Sequence, residues 1–297
     1  MVKLDSNAEY LHQAGERPDW RESYYFNWVD IDSGISGFST IGLLPNVNKR
    51  EFVFALFYED QREVYFTEPE GAVPGDMEDS LDDGKLYFKM NDALSEWQIH
   101  FIGSELEADI LWRGRFPPFD FGRGSGTSWT GHFEQSGSVQ GRVELEDGRT
   151  LQIDGLGQRD KSWGSRDWHI ESWYAFHAQF PEFSIGLRRD VVDGEVHPSG
   201  GVSTKDGCVP IQSVDVETHR VDEPITMPVG AVTTIIAESG EEYRFRSKLI
   251  SPTSFVRFER EYDGGRTELF EEMAIHKSLD TGAQGTGLIE WLFTRKQ

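Results

Sequence analysis

Cysteine is almost missing from this chain of 297 residues, whose only copy is Cys208. A single thiol excludes an intrachain disulfide and any zinc site built from cysteines. Histidine supplies no substitute, because the 8 histidines show neither an H-x-H nor an HExxH spacing. The sequence therefore predicts no metal. The scarcity of cysteine and the lack of an apolar signal-peptide core after Met1 make the cytoplasm the expected location.

Positive charge is also scarce, with 29 Lys and Arg against 52 Asp and Glu and a net charge of −23. Such a field repels phosphate backbones and anionic lipid surfaces, so nucleic acid is not an expected partner. Long apolar runs are missing as well. The longest, Phe52–Tyr58, is far too short to cross a membrane, so no membrane insertion is expected.

Several nucleotide and hydrolase motifs are lacking too. There is no P-loop and no G-x-S-x-G elbow, which argues against a P-loop NTPase and an α/β-type serine hydrolase. Gly155-Leu156-Gly157 lacks the third glycine and the following helix of a dinucleotide fingerprint, so a turn or a close strand crossing is the better interpretation. The sequence predicts no cofactor.

What the chain does contain is a long series of short β-rich runs, such as Trp97–Ile102 and Val139–Leu145. Asp-Gly dipeptides separate many of these runs, and Asp-Gly tolerates the positive φ angles of tight hairpins. Many short strands at this spacing predict an all-β protein of antiparallel sandwiches or barrels. Only Ser6–Ala14 is typical of a helix.

The chain also repeats itself weakly, and the echoes keep a common order. A chance match between Ser- and Glu-containing strands is the alternative to two related halves. If the halves are related, their boundary lies near 165–170, which predicts an N-terminal domain, 1–165, and a C-terminal domain, 166–297. The echoes pair Glu22–Phe26 with Glu171–Phe176, Phe133–Gln135 with Phe270–Glu272, and Gly155–Asp160 with Gly285–Glu290.

The densest stretch of chemistry is 154–168, which holds two Arg-Asp dipeptides and two tryptophans at the proposed junction. Buried Arg and Asp side chains need partners, so one interpretation is a structural network of ion pairs. The other interpretation assigns one carboxyl group to proton transfer, because an aromatic pocket raises the pKa of a carboxyl by desolvation. Both interpretations remain open from the residues alone.

Residues 155–168 read G-L-G-Q-R-D-K-S-W-G-S-R-D-W. This segment resembles the G-x-G-x-R-D-H-S-W-G-x-R-D-W signature of the AttH-like and carotenoid 1,2-hydratase (hydroxyneurosporene synthase) superfamily, in particular a bacterial branch of it. The segments 22–27, 132–135 and 285–290 agree with that branch. The resemblance implies two tandem lipocalin-like (calycin) antiparallel β-barrels. It also implies a hydrophobic ligand cavity, as in related hydratases, cyclases and fungal Diels–Alderases.

Lys161 departs from the resemblance, because it stands where the family pattern usually has histidine. If that histidine moves protons in relatives, Lys161 can replace it near neutral pH only when strongly desolvated. A simple transfer of mechanism is therefore in doubt. The departure favours either a different reaction or a structural role for this position.

The functional hypothesis is cofactor-independent acid–base chemistry on a carbon–carbon double bond of a hydrophobic small molecule, such as an isoprenoid, polyketide or steroid-like compound. Hydration or dehydration is the simplest case, and isomerisation, cyclisation or a non-catalytic carrier are the alternatives. Asp167 is the first choice for the acid and Asp160 the second, with Arg159 and Arg166 holding the other carboxylate ionised. The residues expected to bind the substrate are Trp163, Trp168, Trp173, Tyr174, Glu22, Tyr24, His132 and Glu134.

Overall fold

The computed structural model describes residues 4–122, 129–166, 168, 170–222 and 227–296. The chain divides into two compact units, Met1–Arg166 (unit 1) and Asp167–Gln297 (unit 2). Strands account for 68% of the residues and helices for 4%, which confirms the all-β prediction. Among the described residues, no helix has the length and apolar character needed to span a bilayer.

Unit 1 contains ten strands among its described residues, with two short 3₁₀ turns, Ser6–Glu9 and Pro45–Val47, and one short helix, α1 (Met77–Ser80). The strands are β1 (Trp20–Asp30), β2 (Ile35–Leu44), β3 (Lys49–Tyr58), β4 (Gln61–Thr67), β5 (Leu86–Asp92), β6 (Glu96–Ile102), β7 (Leu106–Gly114), β8 (Phe119–Asp120), β9 (Gly131–Leu145) and β10 (Thr150–Ser165).

Unit 2 contains nine strands among its described residues. They are β11 (Ser172–Gln179), β12 (Ser184–Val192), β13 (Glu195–Thr204), β14 (Gly207–Val221), β15 (Met227–Ala237), β16 (Glu242–Leu249), β17 (Phe255–Tyr262), β18 (Gly265–Ser278) and β19 (Gln284–Lys296).

The two sheets are antiparallel and differ in closure. In unit 1 the order is β4-β3-β2-β1-β10-β9-β7-β6-β5, with β8 on β9, and the sheet curls into a half-barrel. In unit 2 the order is β16-β15-β14-β13-β12-β11-β19-β18-β17, and an additional pairing of β16 with β18 closes eight strands into a barrel. Closure removes unpaired strand edges from that ring.

The central strands of both units are buried on both faces. Every residue of β1 is buried, and nearly every residue of β11 is buried as well. In each unit one face of the sheet packs on a hydrophobic core, and this face is called the inner face below. Tyr24, Phe26 and Trp28 of β1 belong to the core of unit 1, and Tyr174 and Phe176 of β11 belong to the core of unit 2.

The sheet registers repeat between the units. Tyr24 lies beside Lys161 of β10, which lies beside Phe133 of β9. The matching row in unit 2 is Tyr174 of β11, Trp291 of β19 and Phe270 of β18. In both units the first strand of the sheet pairs with the second strand and with the last, so the echoes in the sequence fall on equivalent strands.

The helix expected over Ser6–Ala14 is wrong in its extent. Only Ser6–Glu9 forms a turn, which is 3₁₀ and is capped by the side chain of Asp5. Residues 11–15 form no regular structure. Glu9, Leu11 and His12 instead direct their side chains onto the sheet and core of unit 1, and these contacts replace the hydrogen bonds of a longer helix.

Candidate active site

Strand β10 carries charged side chains on both of its faces. Consecutive residues of a strand point to opposite sides of the sheet. Arg159 and Lys161 pair in register with the core residues Phe26 and Tyr24, so they lie on the inner face. Asp160 lies between them in the sequence and therefore points to the opposite, outer face. The strand thus separates the charged residues of the motif into two groups.

The outer-face group is built from β9 and β10 and consists of His132, Glu134, Gln158 and Asp160; we call it the His132 cluster. Asp160 pairs in register with Glu134. Nε2 of His132 lies 3.6 Å from Oε1 of Glu134 and 4.0 Å from Oδ2 of Asp160. Nε2 of Gln158 donates a 2.6 Å hydrogen bond to Oε2 of Glu134. One imidazole nitrogen thereby faces two carboxyl groups.

Two aromatic rings enclose the imidazole of His132. Phe121 stacks on it with ring centroids 4.3 Å apart, and Trp129 meets it edge-on at 4.6 Å. The backbone holds both rings in place, because the N–H of Phe121 donates to the carbonyl of His132 and Nε1 of Trp129 donates to the carbonyl of Gly122. The connection between β8 and β9 therefore supplies an apolar wall for the cluster.

Burial differs within the His132 cluster in a way that matters for chemistry. The side chains of His132 and Glu134 are 5% and 3% exposed, whereas that of Asp160 is 24% exposed. Asp160 is thus the member that a bound molecule reaches most easily. An imidazole beside two carboxyl groups can pass a proton between them, and histidine is the side chain that ordinarily titrates near neutral pH.

The inner-face group includes Lys161, whose ammonium is fully buried and paired with the carboxylate of Glu22. Glu22 also accepts hydrogen bonds from the backbone N–H and Nδ1 of His12, and the imidazole of His12 stacks on Trp163 at 3.8 Å. Burial lowers the pKa of Lys161, although the charge of Glu22 opposes this. For Glu22, burial raises the pKa, but the hydrogen bond from His12 and the charge of Lys161 outweigh it and hold the pKa below its ordinary value.

Arg159 lies beside Lys161 on the inner face and pairs with Glu9. Its Nη1 and Nη2 contact the two carboxylate oxygens of Glu9 at 3.0 and 2.5 Å, and Nε donates to Oε1 of Gln135 at 3.2 Å. Arg166, the other arginine of the motif, donates from Nη2 to Oγ of Ser162 at 2.6 Å. These hydrogen bonds of the two arginines are thus made to Glu9, Gln135 and Ser162, and not to Asp160. Asp167, the first choice for the acid, lies outside the described residues.

The aromatic residues expected to bind the substrate are distributed over three places. Trp163 lies on the inner face of unit 1, while Tyr174 lies in the core of unit 2 and shares a 2.9 Å hydrogen bond with Thr233. Trp168 and Trp173 pack against each other at 5.5 Å in a smaller hydrophobic cluster of unit 2. Of the expected residues, the structure brings together Glu22, Tyr24 and Trp163 around Lys161, and His132, Glu134 and Asp160 in the His132 cluster.

Unit 2 also buries two titratable groups on the inner face of β18. Burial raises the pKa of Glu272 to about 9, partly offset by the indole of Trp291. Burial lowers the pKa of His276 to about 3, and its Nδ1 shares a 2.8 Å hydrogen bond with Oγ of Ser247. Both groups are therefore neutral at pH 7.

One group of described residues is close enough to share a metal ion, namely His100, Glu107 and Asp109 on β6 and β7. Nδ1 of His100 already lies 2.8 Å from Oδ1 of Asp109, and Arg142 approaches the other oxygen of Asp109 at 3.4 Å. A cation beside the carboxylate opposes binding of a second cation. We assign no metal to this group.

A comparison of the sequence with family models identifies the family of the chain. The model described as "Domain of unknown function (DUF7064)" matches residues 5–295. The chain belongs to the DUF7064 family. No curated protein sequence matches the chain.

The fold of this DUF7064 chain is similar to that of solved structures at low sequence identity. Kievitone hydratase from Nectria haematococca matches with a TM-score of 0.64 and 14% identity over 98% of this chain and 93% of that chain. CghA matches with a TM-score of 0.61 and 11% identity over 94% and 88%, and CghA with Sch210972 with 0.63 and 11% over 93% and 88%. These likenesses agree with the fold that the sequence resemblance implied.

Several residues of the candidate site in this DUF7064 chain are not among those that the sequence predicts. Phe121 and Trp129 contact His132 from a connection that offers no periodic pattern, and the motif gives Gln158 no role of its own. Glu9 and His12 lie in the segment for which the sequence predicts a helix, Ser6–Ala14. A signal was available for Gln158, since a position two residues before Asp160 on a strand must share its face.

Proposed function

We propose that this protein is an enzyme that carries out acid–base chemistry on a carbon–carbon double bond of a hydrophobic small molecule, most simply by adding or removing water. The observation that carries the proposal is the His132 cluster, in which one imidazole nitrogen faces two carboxyl groups and two aromatic rings pack on the imidazole. The fold of kievitone hydratase supports the choice of hydration, because that protein is named for this reaction type.

In the proposed hydration, Asp160 in its carboxylic acid form gives its proton to one alkene carbon, and a positive charge develops on the other. The faces of Phe121 and Trp129 stabilise that charge, as aromatic rings stabilise cations. The oxygen of a water molecule then bonds to the cationic carbon, and its proton passes to His132. Transfer of a proton from His132 to Asp160 restores the starting state, so atoms and charge balance.

Glu134 and Gln158 act as positioning residues in this scheme. The amide of Gln158 donates to Glu134 on one oxygen, which leaves the other oxygen 3.6 Å from Nε2 of His132. A carboxylate held in this way orients the imidazole and stabilises its protonated form. Dehydration follows the same steps in reverse.

The test uses the whole protein with a panel of olefins of isoprenoid, polyketide and steroid-like type in water enriched in oxygen-18. Hydration adds the mass of labelled water to the product, whereas isomerisation and cyclisation change retention time with no gain of label. Asp160→Asn is expected to lower turnover by about 10²–10⁴-fold, the usual range for general acid–base catalysis. Asp154→Asn is the matched control, because Asp154 is an exposed residue of the same strand.

Asp167→Asn is tested in parallel, since Asp167 remains the other candidate for the acid. Loss of turnover in Asp167→Asn with retention in Asp160→Asn would move the acid to Asp167. Near-wild-type turnover in both variants overturns the acid–base proposal. Binding of an apolar compound with no conversion of any olefin would favour the non-catalytic carrier.

A further inference from the structure

A segment that precedes β1 closes over the inner face of unit 1. We call residues 4–19 the strap. The strap forms no named strand with the sheet among the described residues. The side chains of Glu9, Leu11 and His12 contact unit 1, the backbone N–H of His12 donates to Glu22, and the carbonyl of Glu9 accepts from the hydroxyl of Tyr24. Its far end is held by Nδ2 of Asn46, which donates to the carbonyls of the strap. Asp19 alone continues the β1–β10 pairing, through its carbonyl and the N–H of Arg166. Residues 4–18 can therefore leave without breaking a β-ladder.

Glu9 is fully buried, and its carboxylate lies in a ring of donors. Arg159 contacts both oxygens with its two terminal nitrogens, and the backbone N–H of Leu94 donates to Oε1 at 2.8 Å. Gln135 fixes this arrangement, because it accepts from Arg159 and donates to the carbonyl of Leu94 at 3.0 Å. A two-pronged guanidinium contact plus a backbone N–H is the usual way in which proteins recognise a carboxylate.

The barrel architecture does not itself require a cation at this position. Arg159 lies beside Phe26 and Gln135, and the matching row in unit 2 is Phe176, Ile289 and Glu272. Unit 2 closes into a barrel with isoleucine at the place of the arginine. A buried arginine carries a desolvation cost that an isoleucine avoids. Arg159 is therefore better explained by what it binds than by what the fold needs.

The surroundings of the carboxylate are apolar. The guanidinium of Arg159 lies 5.2 Å from the ring of Trp112 and 5.0 Å from that of Phe133. Leu11 of the strap packs against the same core. Glu9 and Leu11 together thus present a carboxylate followed by a branched hydrocarbon, which is the chemical pattern of an apolar monocarboxylic acid.

We propose that Arg159, Gln135 and the N–H of Leu94 form a binding site for an apolar monocarboxylic acid, and that Glu9 of the strap occupies this site as a tethered competitor. A ligand carboxylate replaces that of Glu9 on the same donors, and its hydrocarbon takes the space of Leu11. A tethered group competes at an effective concentration of about millimolar, so the free acid binds weakly to the wild-type chain and more tightly once Glu9 is removed. This site is on the inner face and is separate from the His132 cluster.

The first experiment measures binding of hexanoate by calorimetry to the wild-type chain and to Glu9→Ala, with Glu16→Ala as the matched control. Glu16 is an exposed glutamate of the same strap. Glu9→Ala is expected to bind hexanoate about tenfold more tightly than the wild type or more, and Glu16→Ala to match the wild type. Acetate and hexanol, which lack the tail and the charge respectively, are expected to bind Glu9→Ala at least about tenfold more weakly than hexanoate. Adding Arg159→Gln to Glu9→Ala is expected to abolish hexanoate binding.

The second experiment follows hydrogen–deuterium exchange of peptides from residues 4–19 in the wild-type chain, with and without saturating hexanoate. Displacement of the strap is expected to speed exchange in those peptides, whereas hexanol leaves it unchanged. Equal hexanoate affinity of Glu9→Ala and wild type overturns the proposal. Binding of acetate to Glu9→Ala as tight as that of hexanoate also overturns it, because the Glu9–Arg159 pair would then be structural only. If Glu9→Ala does not fold, unchanged exchange of the strap in the wild type with hexanoate is the overturning result.

Discussion

Glu272 and His276 lie on the inner face of β18, separated by Ala274, and burial keeps both uncharged at pH 7. Their effects on stability have opposite dependence on pH. The folded pKa of Glu272 is raised from 4.5 to about 9, so the folded chain binds a proton that the unfolded chain has released between these values. Stability from this group is complete below about pH 4.5 and falls as pH rises towards 9, by about 1.4 kcal/mol per pH unit.

Glu272→Gln is therefore expected to be more stable than the wild type at pH 8 and nearly equal to it at pH 4. The amide keeps the shape of the side chain and cannot ionise. The measurement is the midpoint of guanidinium unfolding at several pH values. Glu261→Gln is the control, since Glu261 is exposed on the neighbouring strand and is expected to leave the pH profile unchanged. A wild-type midpoint that does not fall between pH 5 and 8 relative to Glu272→Gln would contradict the buried acid.

His276 affects the same dependence of stability on pH, but at acidic pH. Its folded pKa is lowered from 6.5 to about 3, so its stabilising contribution is complete above pH 6.5 and is lost as pH falls towards 3, by about 1.4 kcal/mol per unit. His276→Gln is expected to lose less stability than the wild type between pH 6.5 and 4, although it is less stable at pH 7. His219→Gln, at a half-exposed position, is the control. Parallel profiles for His276→Gln and wild type would show that the buried imidazole titrates normally.

Residue identity alone could predict part of the candidate site. His132 and Glu134 alternate on a strand with one residue between them, which places them on one face, and the structure brings Asp160 to the same face. The pairing of Arg159 with Glu9 could not be predicted, because their contact joins residues 150 positions apart through a segment without regular structure. Long-range contacts of this kind depend on the path of the chain, which a local pattern does not contain.

At the scale of strands, burial on both faces explains why the sequence showed little clean alternation. A strand with one solvent-exposed face alternates apolar and polar residues, but β1 is buried along its whole length. Strand β4, with its largely exposed pattern, is the contrasting case. The all-β class could still be predicted, because turn residues mark the strand ends whatever the faces contain. The division of β10 into two charged faces follows only once its neighbours are known.

The backbone of β9 approaches the indole ring of Trp112 closely at Gly137. A Cβ at Gly137 of β9 would lie 2.2 Å from the ring of Trp112 on β7, and Trp112 is fully buried. Gly137→Ala is expected to destabilise the chain by about 1–3 kcal/mol through overpacking. Gly75→Ala is the control, since no atom lies within 4 Å of its added Cβ. Equal thermal midpoints for the two variants would contradict the prediction and would mean that the ring of Trp112 moves aside without cost.

At the scale of the whole molecule, the two units share an equivalent strand order, but only one of the two sheets closes into a barrel. The predicted tandem β-architecture is confirmed, with a closed barrel in unit 2 and a curled half-barrel in unit 1. The open form in unit 1 could not be predicted, because the echoes in the sequence fall on strands that both units share. The difference lies in the pairing of β16 with β18, and no local motif marks that pairing.

The proposed boundary near 165 leads to a final prediction, that residues 167–297 fold without unit 1. In the described part of unit 2, each ladder joins two strands of unit 2, and the β16–β18 pairing closes its eight-stranded ring. Its core is likewise formed by its own residues. The fragment is expected to show a strand-type circular dichroism spectrum and a cooperative thermal transition. Ser247→Pro is expected to abolish that transition, because proline in β16 removes a backbone hydrogen-bond donor and disrupts the strand that closes the barrel. Ser239→Pro is the control, since Ser239 lies in an exposed turn. A fragment that is unfolded while the full chain is folded would place the domain boundary elsewhere.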